Sequence, residues 1–258
     1  MGVYDINGNL IATGGASTAD LSSLKGKKWL ALGDSYTFAF AGRVTDGVTP
    51  STEGLWYDLA SQYGMTLYSY GIVSSTIRHS TNNGTDGYSF QPMVNRVDNL
   101  IADHSSEADN VGLITFMGGA NDSWAEEFLG DLKSTENTTI YGSCHQIFNK
   151  LTNAFPNAKI VVILQPVLGD STAPTEGEFV GFDGLQYSIY AQQLKQRIVK
   201  EVAEFYGLPI CDCCFEWYTT ANPTHLSKYW QADKLHLTFE GRKELNKKFV
   251  STLEETFV

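Results

Sequence analysis

Five short, nearly unbroken apolar runs, each leading toward an amphipathic stretch, limit most strongly what this chain can fold into. The runs are WLAL (29–32), TLYSY (66–70), VGLITFM (111–117), KIVVILQ (159–165) and LPICDC (208–213). Their apolar residues are fairly continuous, as expected for strands covered on both faces. Helical candidates lie at 53–63, 91–103, 140–154 and 184–206, and a last one fits 239–254. The segment LQYSIYAQQLKQRIVKEVAEFYG is expected to place Leu185, Ile189, Leu194, Ile198, Val202 and Phe205 along one side and to stop at Gly207. Repeated strand-then-helix units imply a parallel sheet with right-handed crossovers, in which function gathers at the carboxyl ends of the strands.

A length of 258 residues suits one large α/β domain with a substantial core. That domain is expected over 28–258. Residues 1–27 read differently: VYDINGNLIA has Asn-Gly between short β-prone runs, a hairpin signal, and TGGASTADLSS has the composition of a linker. The pair is expected to form an appendage on the domain. Asp5, Asn7 and Asn9 lack the remaining ligands of a calcium loop, so a turn is the better reading.

A formal net charge of −11 argues against a nucleic-acid partner, which would need a basic face. No stretch approaches the ~20 apolar residues of a membrane span, and the N-terminus lacks a signal-peptide pattern. The expectation is a cytoplasmic chain, or a domain of a larger modular protein carried on a cell surface or phage-tail assembly. Cys211, Cys213 and Cys214 crowd into ICDCCF while Cys144 stands apart, which disfavours a disulfide framework. Cys211 and Cys214 form a CxxC without the second pair that a structural zinc site wants, so small apolar residues at a buried strand end are the expectation.

The chemistry-bearing residues follow the strands. Gly33-Asp34-Ser35 follows the first and Gly71 the second; MGGANDSW, with Gly119, Asn121 and Asp122, follows the third. ADKLHLTFEGR, with Asp233 and His236, stands before the final helix. Asp34 or Ser35 could merely cap a helix, and His236 could be a surface residue near a helix start. Taken together, they offer a hydroxyl, a base and a carboxylate. A serine becomes a useful nucleophile when a base removes its proton, histidine suits that task near neutrality, and a carboxylate fixes its tautomer.

These motifs, in this order across roughly 28–255, resemble the SGNH hydrolases, also called GDSL-type esterases and lipases. The resemblance implies a flavodoxin-like three-layer α/β/α fold with a central, mainly five-stranded parallel sheet. It implies Ser35 as nucleophile, His236 as general base and then acid, and Asp233 as the residue orienting the imidazole. The Ser35 and Gly71 backbone N–H groups and the Asn121 side-chain amide would form the oxyanion hole. Many relatives carry asparagine where this chain has Ser69, which still offers a hydrogen bond. Neither metal nor cofactor is implied.

Asp122 is expected to bond loop backbone, and Asp212 to tether the end of the last strand. His79, His104, His145 and His225 have no partners at ligand spacing. The sequons at Asn83 and Asn137 matter only in a glycosylating host. Specificity is expected from long polar loops at 36–52, 73–90 and 168–183, with aromatics at Tyr36, Phe38, Phe40, Tyr88, Phe90, Phe179 and Phe182. Such loops suit a glycan ester, so the expected reaction is removal of short acyl groups, acetyl foremost, from a carbohydrate. The competing readings are a lipase or thioesterase for longer chains, and a carbohydrate-binding module that keeps the fold without turnover.

Overall fold

The computed structural model describes residues 2–4, 10–13, 21–42, 49–80, 92–166, 189–214, 228–233 and 235–257. Two short strands, β1 (Gly2–Tyr4) and β2 (Leu10–Thr13), pair antiparallel with Val3 opposite Ala12, so the expected hairpin forms. Its turn and the linker after it lie outside the described residues. A 3-10 turn over Leu21–Leu24 then buries both leucines in the core around Trp29. The end of the stretch read as an appendage therefore packs as part of the core.

The five apolar runs form one parallel sheet: β3 (Lys28–Gly33), β4 (Thr66–Gly71), β5 (Val111–Met117), β6 (Lys159–Leu164) and β7 (Ile210–Asp212). Their spatial order is β4-β3-β5-β6-β7. The helices are α1 (Ser35–Ala41), α2 (Leu55–Gln62), α3 (Met93–His104), α4 (Glu126–Leu129), α5 (Ile140–Ala154), α6 (Ile189–Phe205) and α7 (Phe239–Thr256). Successive strand residues point to opposite faces. Trp29, Ala31, Val161 and Ile163 join one core with α2 and α7, whereas Leu30, Leu32, Val162 and Leu164 join a second with α3, α5 and α6. On the first face Trp29, Trp56 and Phe249 stack with ring centroids 5.1–5.5 Å apart, and the Trp29 indole N–H donates to Thr115 Oγ1 at 2.9 Å.

Two expectations need correction. Residues 36–41, read as the start of a loop, are helical, and only one residue, Asp34, separates β3 from α1. Gly33 and Gly71 make that sharp return feasible. They lie side by side across β3 and β4, and a Cβ on Gly71 would sit 2.4 Å from Phe38 N. Gly71 thus lets α1 pack directly against the end of β4. The second correction concerns α6: Ile198 and Val202 are buried as expected, but its buried residues also include Ala191, Gln192, Lys195, Gln196, Val199 and Ala203. Leu194 is only partly buried and Phe205 is 63% exposed; near the start of the helix the buried face meets the polar strand ends, and at its end Phe205 lies beside the His145 and Tyr206 rings. Leu185 lies outside the described residues.

Candidate active site

At the end of β3 the Asp34 carboxylate caps α1, accepting from Tyr36 N at 2.9 Å. The capping explanation therefore holds for the aspartate. Ser35 is the first helical residue, where the backbone N–H has no intrahelical carbonyl. Its Oγ lies 2.9 Å from His236 Nε2, across 201 positions of sequence. His236 Nδ1 in turn lies 2.7 Å from Asp233 Oδ2. A carboxylate at Nδ1 keeps the proton there and leaves Nε2 to accept from the serine.

The segment carrying the imidazole is built by local bonds. Asp233 Oδ1 accepts from Leu235 N and His236 N, each at 3.0 Å. Burial pushes the Asp233 carboxyl up, but these N–H groups and the His236 ring outweigh it and hold it below its ordinary range. An antiparallel bridge between Trp230 and Leu237 flanks His236, and its carbonyl accepts from Gln231 N at 2.8 Å. Thr238 then caps α7, its Oγ1 accepting from Gly241 N at 3.2 Å. Tyr36 ties this segment to α1. Its hydroxyl donates to the Leu235 carbonyl, and its ring centroid is 5.9 Å from that of His236.

The remaining expected residues sit in neighbouring loops. Asn121 Nδ2 donates to Ser75 O at 3.0 Å, which leaves a second N–H of that amide for another acceptor. The Gly71 N–H faces Ser69 Oγ at 3.3 Å, and that hydroxyl donates to Gly42 O at 3.0 Å. Ser69 thereby joins the turn after α1 to the end of β4. Asp122 is fully buried and accepts from Ile77 N at 2.8 Å and Arg78 N at 3.1 Å, the backbone role expected of it. Asp212 accepts from Cys214 N at 3.2 Å and from Lys200 Nζ at 2.9 Å, which anchors the end of β7. Ser35, His236 and Asp233 thus form one hydrogen-bonded chain, whereas Gly71 and Asn121 each already hold a neighbour.

Beneath this chain lies a buried polar layer that the sequence reading missed. Gln165 Nε2 donates to both Asp34 oxygens, at 2.9 and 2.8 Å, while its Oε1 accepts from Ala120 N at 2.8 Å. Burial drives Asp34 up to about 6 against the pull of Gln165 and the Tyr36 N–H. Arg96 reaches up from α3 and donates to the Tyr70 carbonyl, to Gly33 O at 2.8 Å and to Ser75 Oγ at 2.7 Å. Lys195 is buried completely, and burial lowers it to about 7 despite Asp122 and Asp34. One signal was available for Gln165, a polar residue closing the apolar run KIVVILQ.

A cavity of about 250 Å³ opens beside Ser35 and His236, walled by Phe38, Ala39, Phe40, Val73 and Leu237. Among the expected loop aromatics, Tyr36, Phe38 and Phe40 belong to α1, and Tyr88, Phe90, Phe179 and Phe182 fall outside the described residues. All four cysteines are free and buried, with Cys211 Sγ and Cys213 Sγ 3.6 Å apart. His104 is buried against the Tyr68 and Tyr70 rings, and His145 packs between Phe205 and Tyr206. Among the described residues no group of three or more His, Cys, Asp and Glu could hold a metal ion. No helix among them is long and apolar enough to cross a membrane.

Comparison with solved structures finds this architecture repeatedly. A Lactobacillus plantarum protein aligns over 91% of this chain and 99% of its own, with 22% identity and a TM-score of 0.65. A lipase/acylhydrolase from Enterococcus faecalis aligns over 90% of this chain and 97% of its own, at 15% identity and a TM-score of 0.54. An acetylxylan esterase from Geobacillus stearothermophilus aligns over 88% and 94%, at 15% identity and a TM-score of 0.54. At such identities the likeness concerns the fold. No curated protein sequence matches the chain. The family model described as GDSL-like Lipase/Acylhydrolase matches residues 31–243, from within β3 to the first turn of α7. With that match over most of its length, the chain belongs to the GDSL-like lipase/acylhydrolase family, the SGNH hydrolases, and is an ester hydrolase.

Proposed function

We propose that the protein removes short acyl groups, acetyl foremost, from a carbohydrate ester through an acyl-enzyme on Ser35. The observation that carries the catalytic part is the chain Ser35 Oγ–His236 Nε2 at 2.9 Å and His236 Nδ1–Asp233 Oδ2 at 2.7 Å. As Oγ attacks the ester carbonyl, its proton passes to Nε2, and the adjacent carboxylate stabilises the imidazolium. The carbonyl oxygen becomes an oxyanion, for which the Ser35 N–H and the unspent Asn121 N–H are the donors of this reading, with the Gly71 N–H joining them only by giving up its contact with Ser69 Oγ. Loss of one such donor costs on the order of 10²–10³ in kcat. Collapse expels the alcohol with the proton from Nε2, and water then repeats the sequence on the acyl-serine. The carbohydrate part draws on the acetylxylan esterase among the structural relatives and on the polar loops.

A specific observation favours a second reading. The walls of the cavity beside Ser35 are mainly apolar and aromatic side chains, which suit an acyl chain longer than acetyl. Hydrolysis of p-nitrophenyl esters from C2 to C12, followed by acetylated xylan, separates the two. Highest kcat/KM at C2 with acetate release from the glycan supports deacetylation; a maximum at C8 or longer overturns it. Ser35→Ala should lower kcat by roughly 10³-fold or more while remaining folded. Turnover equal to wild type would remove Ser35 as nucleophile.

A further inference from the structure

A helix that packs on a sheet normally buries leucine and valine, but near its start α6 buries Gln192, Lys195 and Gln196. An ammonium without access to water is expensive unless its N–H bonds are all well used. Here the donors converge on the loop after β5. Lys195 Nζ donates to Ala120 O and to Asp122 O, both at 2.9 Å, gripping the carbonyls of the residues on either side of Asn121. Gln192 Nε2 adds a bond to Ala120 O at 3.1 Å, and Gln196 Nε2 one to Gly118 O at 3.0 Å. From the opposite side, Asn121 Nδ2 holds Ser75 O and Asp122 holds Ile77 N and Arg78 N. Gly119, with φ at +115°, bends the backbone so that these carbonyls face α6.

We propose that Lys195 is a positioning residue for acyl transfer, fixing Asn121 through the two carbonyls beside it. The proposal rests on the reading of Asn121 as an oxyanion donor. A lysine amine carries at least two N–H bonds whether or not it is protonated, so it can serve two converging carbonyls, which a single amide N–H cannot do equally well. An apolar residue of the same length would fill the space but take this donor from Asp122 O and leave Ala120 O with only the Gln192 bond. The clamp then explains why the helix carries polar residues where packing alone would select apolar ones. In the transition state a donor acts by being already in place, so restricting Asn121 favours kcat rather than ground-state binding.

The test is a double-mutant cycle on p-nitrophenyl acetate with wild type, Asn121→Ala, Lys195→Met and the double variant. Asn121→Ala should lower kcat about 10²-fold. Lys195→Met should lower kcat at least about 10-fold with KM changed less than about 3-fold, and should add almost nothing in the Asn121→Ala background. A Lys195→Met loss that persists in full in that background overturns the positioning role while leaving the Asn121 reading intact. Wild-type kcat in Asn121→Ala overturns both. If Lys195→Met does not fold, Gln192→Leu takes its place: it removes one bond to the same Ala120 carbonyl. A fall in kcat that vanishes without Asn121 supports the clamp, and an unchanged or fully additive kcat overturns it.

Discussion

The loop from Gly118 to Asp122 and the segment from Asp233 to His236 both serve the same corner of the sheet, yet they are held differently. The first is clamped from one side by buried side chains of α6 and of Gln165 at the end of β6, and from the other by bonds of its own Asn121 and Asp122 to the backbone after β4. The second is partly exposed and is fixed mainly by its own aspartate, a short antiparallel bridge and the Tyr36 hydroxyl. Buried, fully used polar groups resist displacement because each lost partner leaves another unsatisfied. A half-exposed Asx-type turn can be altered at small cost. Stability is therefore concentrated in the first loop, whereas the second carries the proposed general base and its carboxylate.

His236→Ala separates the two properties most widely. We expect a loss in kcat on the order of 10³–10⁴, with unfolding free energy within about 1 kcal/mol of wild type. A large fall in melting temperature alongside the lost turnover would break the contrast. Asp122→Ala should do the reverse: stranding the buried Ile77 and Arg78 N–H groups costs about 3 kcal/mol, read as a drop of several degrees in Tm. An unchanged Tm would show that the clamped loop contributes little.

Asp34 sharpens the comparison through pH. Burial drives its folded pKa up to about 6, above the ordinary 3.8, so the native state binds the proton more tightly than the unfolded chain. Its contribution is complete below about pH 4 and is lost as pH rises through 6, by up to about 3 kcal/mol. Asp34→Asn has no such titration, so Tm relative to wild type should be higher at pH 7.5 than at pH 4. Parallel Tm–pH curves for the two proteins would rule the effect out. The smallest change belongs to Tyr36→Phe, which deletes only the bond to the Leu235 carbonyl. About 1 kcal/mol of stability should go, with faster amide exchange at Leu235 and His236 and no change at Asp122. Equal exchange acceleration in both loops would mean that they move as one.

Much of this was legible in the sequence because the signals were local. WLAL, VGLITFM and KIVVILQ correspond to β3, β5 and β6 to within about a residue, since both-face burial leaves an uninterrupted apolar run. Asp233 and His236 stand three residues apart, so one turn can supply both groups. The helix α1 was illegible for the opposite reason. SYTFAFA is rich in residues with weak helix propensity, and burial against β4 overrides that preference. Lys195 and Gln196 were illegible too, because apolar periodicity cannot anticipate a helix face that meets backbone carbonyls. Gln165 required knowing that β5 and β6 are neighbours.

The contact between Ser35 and His236 closes over 201 residues, with the sheet assembled in between. Contacts so distant in sequence form only after the intervening chain has lost its freedom. On the proposed mechanism, turnover is consequently a clock for the closing of this contact. On dilution from denaturant, secondary structure should return before the first molecule of product is made, whereas full burial of Trp29 and Trp56, which pack on Phe249 of α7, should return together with turnover.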